Sequence, residues 1–142
     1  MALQFHPELG TIVICDYDKG GFIPPEMIKR RLAIVISPRL RHRDRLCTVV
    51  PLSTTPPSQV MPYHYNIKLD ESFRTPHDYQ GHWVKADMIS TVSFDRLSLP
   101  YRGKNISGKR DYFVKIIKGD DLKSIRGCVL YALALFSLTE HL

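Results

Sequence analysis

The chain has 142 residues, 44% of them hydrophobic and 24% charged, which is ordinary for a globular protein and long enough to bury a core without staples. That composition argues against disordered, collagen-like and coiled-coil architectures, and predicts a single domain over residues 1–142. The formal charge of +6 points to an acidic partner, either nucleic acid or an acidic protein segment.

The opening MALQFHPELG lacks a basic stretch followed by an apolar one, so no secretory signal is expected. The first β-branched run, TIVICDYD at 11–18, reads as a strand. A long irregular connection follows through Gly20, Gly21, Phe22, Ile23 and the paired Pro24 and Pro25. The second run, LAIVISP at 32–38, is fenced by cations: Lys29, Arg30 and Arg31 before it, and Arg39, Arg41, Arg43 and Arg45 after it. Only Asp44 opposes them, so an anion is expected at this part of the surface. The later cations fill a connection between strands and read as a solvated turn.

Further strand-like runs lie at 46–53, 63–69, 82–88, 90–97 and 110–117, making about seven in all, the pattern of a small barrel or closed sheet. Ser53 to Pro62 is a second long loop, rich in Ser, Thr and Pro. From Asp120 the period changes, with Leu122, Ile125, Val129, Leu133 and Phe136 recurring every three or four residues. This predicts a helix over about 120–136, with Asp120 or Asp121 as its N-cap. Its most apolar stretch, CVLYALALFSL, is too short to span a bilayer, and a cytoplasmic protein without membrane attachment is predicted. Cys15, Cys47 and Cys128 are odd in number and embedded in apolar runs, with no CxxC or zinc spacing. Neither a disulfide nor a metal or other cofactor is expected.

The ordered set GTIVICDYD from Gly10, KRRLAIVISP from Lys29, TVVPLSTT from Thr48, ADMISTV from Ala86 and Arg96–Leu97 resembles the PemK/MazF family of toxins. The likeness spans nearly the whole chain. It implies an SH3-like small β-barrel with a C-terminal α-helix, and a homodimer that acts as a metal-independent, sequence-specific endoribonuclease on single-stranded RNA, commonly messenger RNA. It further implies repression by a cognate antitoxin whose acidic segment occupies the RNA groove.

The family's functional Arg at the start of the second strand matches Arg31, and its Ser or Thr after V-P-x matches Ser53, followed by Thr54. Two positions depart from the pattern. Leu32 stands where the family usually has Pro, and Ser90 stands where some members carry a basic residue.

RNA cleavage without a metal uses the 2′-OH of the substrate as nucleophile, so the protein must stabilise charge on the phosphorane and assist proton transfer. Arg31 suits charge neutralisation, because its planar fork pairs two phosphate oxygens. Ser53 and Thr54 suit donation to a nonbridging oxygen. The structural alternatives are a solvated strand terminus for Arg31 and a turn-stabilising strand end for Ser53 and Thr54.

Lys29 and Arg30 are candidate phosphate contacts, Phe22 a candidate base-stacking ring, and Asp87, assigned to the fifth strand, a candidate site carboxylate. His64, His77 and His82 titrate in the range a general base needs but show no pairing in the sequence. Tyr63, Tyr65 and Trp83 read as core or interface aromatics. Two other functions fit the same pattern: a non-enzymatic growth inhibitor that binds DNA gyrase, and a catalytically inert regulator that binds RNA or antitoxin.

Overall fold

The computed structural model describes residues 2–73 and 80–142. Its main element is a seven-stranded antiparallel sheet: β1 Ile12–Asp16, β2 Arg30–Val35, β3 Leu46–Ser53, β4 His64–Ile67, β5 His82–Lys85, β6 Ser90–Ser93 and β7 Leu97–Ser98. Two further strands, β8 Tyr101–Lys104 and β9 Arg110–Tyr112, pair with each other as a separate ribbon. The helix α1 spans Gly119–Ala132, and a 3-10 turn occupies Phe136–His141. The mainly β architecture with a C-terminal helix is the one expected from the sequence.

The ladder runs β4-β5-β3-β2-β1-β7, with β6 also paired to β3. Among the described residues no ladder joins β4 to β7, so the sheet curls without the hydrogen-bonded closure of a full barrel. The central strands are apolar at successive positions because both of their faces are covered. Ile12, Ile34, Val50 and Leu52 point to one core, which α1 closes with Ile125, Cys128 and Val129. Val13, Cys15, Ala33, Val35 and Val49 point to a second core, inside the curl of the sheet, closed by Val92, Phe94 and Leu97.

Gly10 fastens the start of β1 to the segment before α1. Its amide donates to the Val35 carbonyl at 2.8 Å, and its own carbonyl accepts the Ile117 amide at 2.8 Å. With φ at +93°, a β-carbon there would lie 2.2 Å from the Ile117 carbonyl oxygen, so only glycine fits.

Three expectations need correction. The run at 90–97 is broken by a 3-10 turn, Phe94–Arg96, because the Ser93 hydroxyl accepts the Asp95 amide at 3.1 Å and bends the chain. Helix α1 ends four residues early: Ala134 takes φ of +61°, and Leu133 and Phe136 are 52% and 57% exposed rather than core. Neither Asp120 nor Asp121 caps the helix, whose N-cap is Lys118 with no side-chain bond; Asp121 instead accepts the Tyr65 hydroxyl at 2.5 Å. No helix among the described residues is long and apolar enough to cross a membrane.

Candidate active site

The register of the sheet assembles the site. Arg31 lies opposite Cys15 of β1. On its other side β2 pairs with β3, Ala33 opposite Pro51, and carrying that register two residues further brings Arg31 level with Ser53. Ser53 in turn faces Trp83 of β5, and Trp83 faces Asn66 of β4. Cross-strand partners share a face, and neighbouring strands lie about 4.8 Å apart, so Arg31, Ser53 and Trp83 form a row about 10 Å long. Leu52 and Val84, one residue along, point the opposite way into the helix-covered core.

Arg31 is half-buried at the rim, and its Nε donates to the Ile28 carbonyl at 3.0 Å, which fixes the stem and leaves the two terminal nitrogens for a ligand. Among the described residues the ion pairs are Arg45–Asp95 at 2.8 Å and His141–Glu140 at 3.4 Å, so no described carboxylate neutralises Arg31. Beneath it lies Tyr17, wholly buried, whose hydroxyl faces the side chains of Cys15 and Ser90 and feels the Arg31 charge. Burial holds that phenol protonated by raising its pKa well above the ordinary value.

Three buried polar atoms here make no hydrogen bond with a described residue: the Tyr17 hydroxyl, the Ser90 hydroxyl and the Trp83 indole nitrogen. Unpaired buried groups are costly, and they concentrate on Trp83 in the row and on the pair below Arg31. Trp83, read from the sequence as a core or interface aromatic, lies in the row with Ser53. Its place depends on β5 pairing with β3, a contact between strands that are not consecutive.

Ser53 is 4% exposed, and its hydroxyl accepts the Thr55 amide at 3.1 Å, with the Thr55 carbonyl 3.4 Å away. It therefore shapes the strand end, while Thr54 stands exposed directly beside it. Lys29 adopts φ of +70°, and its amide donates to an Asp18 carboxylate oxygen at 2.6 Å, so the turn before β2 projects the exposed side chain of Lys29, next to the exposed Arg30 that opens the strand. Phe22 is half-buried, with its edge against Tyr17 at a centroid distance of 5.3 Å and the Arg96 guanidinium 4.8 Å from its centroid, so much of the ring is engaged within the fold.

Asp87 lies in the 3-10 turn Ala86–Met88 rather than in the strand, and is exposed. That turn carries it past the end of β5, where its charge acts on His64. His64 and His82 both have pKa values lowered by burial, which favours their neutral forms. His64 Nδ1 accepts the Met61 amide at 3.0 Å, leaving its other ring nitrogen as the donor. His77 lies outside the described residues.

A family model described as PemK-like, MazF-like toxin of type II toxin-antitoxin system matches residues 8–118. The chain is 32% identical to the putative uncharacterized protein YifN of Escherichia coli K12, over 72% of this chain and 80% of that one. It is also 32% identical to an uncharacterized protein of Haemophilus influenzae, over 66% and 71%. Among solved structures, MazF (Form-I) from Deinococcus radiodurans superposes with a TM-score of 0.62 at 17% identity, covering 92% of this chain and 99% of that one. An endoribonuclease in complex with its cognate antitoxin, from Mycobacterial species, does so with a TM-score of 0.58 at 22% identity, covering 91% and 96%. At these identities the structural likeness speaks to the fold, and the family match rests on the sequence. The chain belongs to the PemK-like, MazF-like toxin family of type II toxin-antitoxin systems.

Proposed function

We propose that the chain is an endoribonuclease toxin that cuts single-stranded RNA by attack of the substrate's own 2′-OH, without a metal. The observation that carries this reading is the position of Arg31, unneutralised by any described carboxylate, level with Ser53 on the adjacent strand, with the exposed Thr54 one residue beyond the end of that strand. Family membership supports the same reading.

In this mechanism the 2′-oxygen loses its proton and bonds to phosphorus, the bond from phosphorus to the 5′-oxygen breaks, and that oxygen takes up a proton. The products are a 2′,3′-cyclic phosphate and a 5′-OH. Arg31 stabilises the extra negative charge that the phosphorane carries, with its stem already held by the Ile28 carbonyl. Thr54 donates to a nonbridging oxygen, and Ser53 acts mainly by holding the turn that presents Thr54. Lys29 and Arg30 hold flanking phosphates, a contact that salt weakens and base sequence does not alter. Phe22, packed on Tyr17, and Asp87, exposed past the end of β5, are the further residues read as bearing on which bases are accepted.

We further read residues 1–142 as one cytoplasmic toxin domain that works as a homodimer, with α1 sealing the sheet core and the exposed Leu133, Leu135 and Phe136 available to a second copy. An antitoxin with an acidic segment fits the same basic rim. The test is incubation with long single-stranded RNA in EDTA, followed by mapping of cut positions and end chemistry. Cutting at a short recurrent word, abolished by Arg31→Ala, is the expected result. A folded, antitoxin-free protein that leaves RNA intact but inhibits DNA supercoiling in a purified gyrase reaction would replace this reading with the gyrase-binding one.

A further inference from the structure

The β8–β9 ribbon serves no core. Every residue of both strands is exposed, and the strands pair only with each other. A lone two-stranded ribbon is marginal in water, yet the tip of this one is tied by its own hydrogen bonds. Asn105 closes it, the side-chain oxygen accepting the amides of Ser107 at 2.9 Å and Lys109 at 3.1 Å, while the Asn105 amide donates to the Lys109 carbonyl at 2.7 Å.

The ribbon carries Arg102, Lys104, Lys109 and Arg110 against the single carboxylate of Asp111, and none of the four cations forms an ion pair with a described residue. Two tyrosines, the first and last residues of the ribbon, stand together at its base. Tyr101 lies opposite Tyr112 with ring centroids 5.9 Å apart, and the Arg110 guanidinium sits 4.6 Å from the Tyr101 centroid. A pair of exposed tyrosines, one of them with a guanidinium over its ring, together with lysines outside any ion pair among the described residues, is an arrangement that suits single-stranded nucleic acid: bases stack on the planes and phosphates meet the cations. An acidic peptide would use the charges but leave the tyrosine faces without a role.

The ribbon leaves the sheet at Pro100, just past β7, and β7 borders β1, which borders β2. Leu97 is level with Cys15 and so with Arg31, and Pro100 lies three residues further on, so the ribbon begins about 10 Å to the side of the strand that carries Arg31 and about 10 Å along it. We propose that the β8–β9 ribbon is a second contact surface for single-stranded RNA, separate from the site at Arg31, that holds nucleotides flanking the cleaved position. The identification of RNA as the ligand rests on the ribonuclease reading; binding by the ribbon is testable without it.

The experiment measures binding of the full chain to 2′-O-methyl RNA, which cannot be cut by 2′-OH attack, using oligomers of about 16 and about 4 nucleotides. Two variants are compared with wild type: Tyr101→Ala/Tyr112→Ala, and Lys104→Gln/Lys109→Gln. Loss of stacking is expected to weaken binding of the long oligomer about tenfold. Loss of two phosphate contacts is expected to reduce the slope of log affinity against log salt by about 1.4. The short oligomer should bind all three proteins equally.

Unchanged long-oligomer affinity and salt slope in both variants, with circular dichroism unaltered, would overturn the proposal. So would a loss confined to binding of polyglutamate, which would assign the ribbon to an acidic protein partner. If unmodified RNA stays uncut in EDTA while the variants still lose binding, the ribbon proposal stands and the nuclease reading falls. If unmodified RNA is cut and both variants bind as wild type does, the nuclease reading stands and the ribbon proposal falls.

Discussion

Ser53 and Thr54 are neighbours with the same chemistry, and the proposed mechanism gives them different work. Ser53 is almost wholly buried, and its hydroxyl accepts the Thr55 amide at 3.1 Å. Ser53→Ala removes that acceptor, which is worth about 1 kcal/mol net. With a urea slope of about 1.5 kcal/mol/M, the denaturation midpoint should fall by about 0.7 M. Thr54 is exposed and makes no such bond, so Thr54→Val should change stability by less than about 0.5 kcal/mol. Its loss should appear in catalysis: a hydrogen bond to a charged oxygen is worth about 1.5–3 kcal/mol, or roughly 10- to 100-fold in kcat/KM. Urea titration and cleavage of a fluorogenic RNA substrate read the two effects separately. If Ser53→Ala keeps wild-type stability yet loses more activity than Thr54→Val, Ser53 is itself the donor and this division of labour is refuted.

The buried thiols set an alkaline limit on stability: burial raises Cys15 to about 11 and Cys47 to about 12, against an ordinary thiol value of 9.0. Above pH 9 the unfolded chain releases these protons while the folded chain keeps them, so stability should fall by about 1.4 kcal/mol per pH unit per thiol, and urea midpoints from pH 7 to 10 should show a decline that Cys47→Ala lessens. Gly10→Ala should destabilise the fold by about 2 kcal/mol or more, because φ is +93° and the new carbon would collide with the Ile117 carbonyl; a thermal midpoint equal to wild type would contradict the packing described. Tyr17→Phe removes a buried hydroxyl that has no described partner, so stability should be unchanged or rise by up to about 1 kcal/mol, and a loss greater than about 1 kcal/mol in urea titration would show that the hydroxyl is satisfied.

The β class and the closing helix were legible because burial on two faces writes itself as continuous β-branched runs, and burial on one helical stripe as a 3.6-residue period. The same signal misled at the helix end: Leu133 and Phe136 keep the period, but Ala134 reverses the backbone and leaves both side chains exposed. β8 has no signature in the sequence because Tyr101–Lys104 is exposed on both faces and so shows no alternation to detect. Arg31, Ser53 and Thr54 could be nominated from the ordered motifs. That Arg31 and Ser53 are level follows from the register of β2 with β3, and that Trp83 joins them follows from the pairing of β3 with β5. Asp87 falls one element beyond its expected strand because HWVKADM alternates like a strand, although the chain tightens into a 3-10 turn at Ala86. Pairing between distant segments is a tertiary property, and no local pattern in HWVK announces it.

The most direct test of the central claim is single-turnover cleavage of one single-stranded RNA, in EDTA, by the wild type, Arg31→Lys and Arg31→Ala. Charge stabilisation by a two-pronged guanidinium predicts a loss of about 10²-fold for Arg31→Lys and about 10³-fold or more for Arg31→Ala, with cyclic-phosphate and 5′-OH ends throughout. Equal cleavage by all three proteins, or none by the folded wild type, would contradict it.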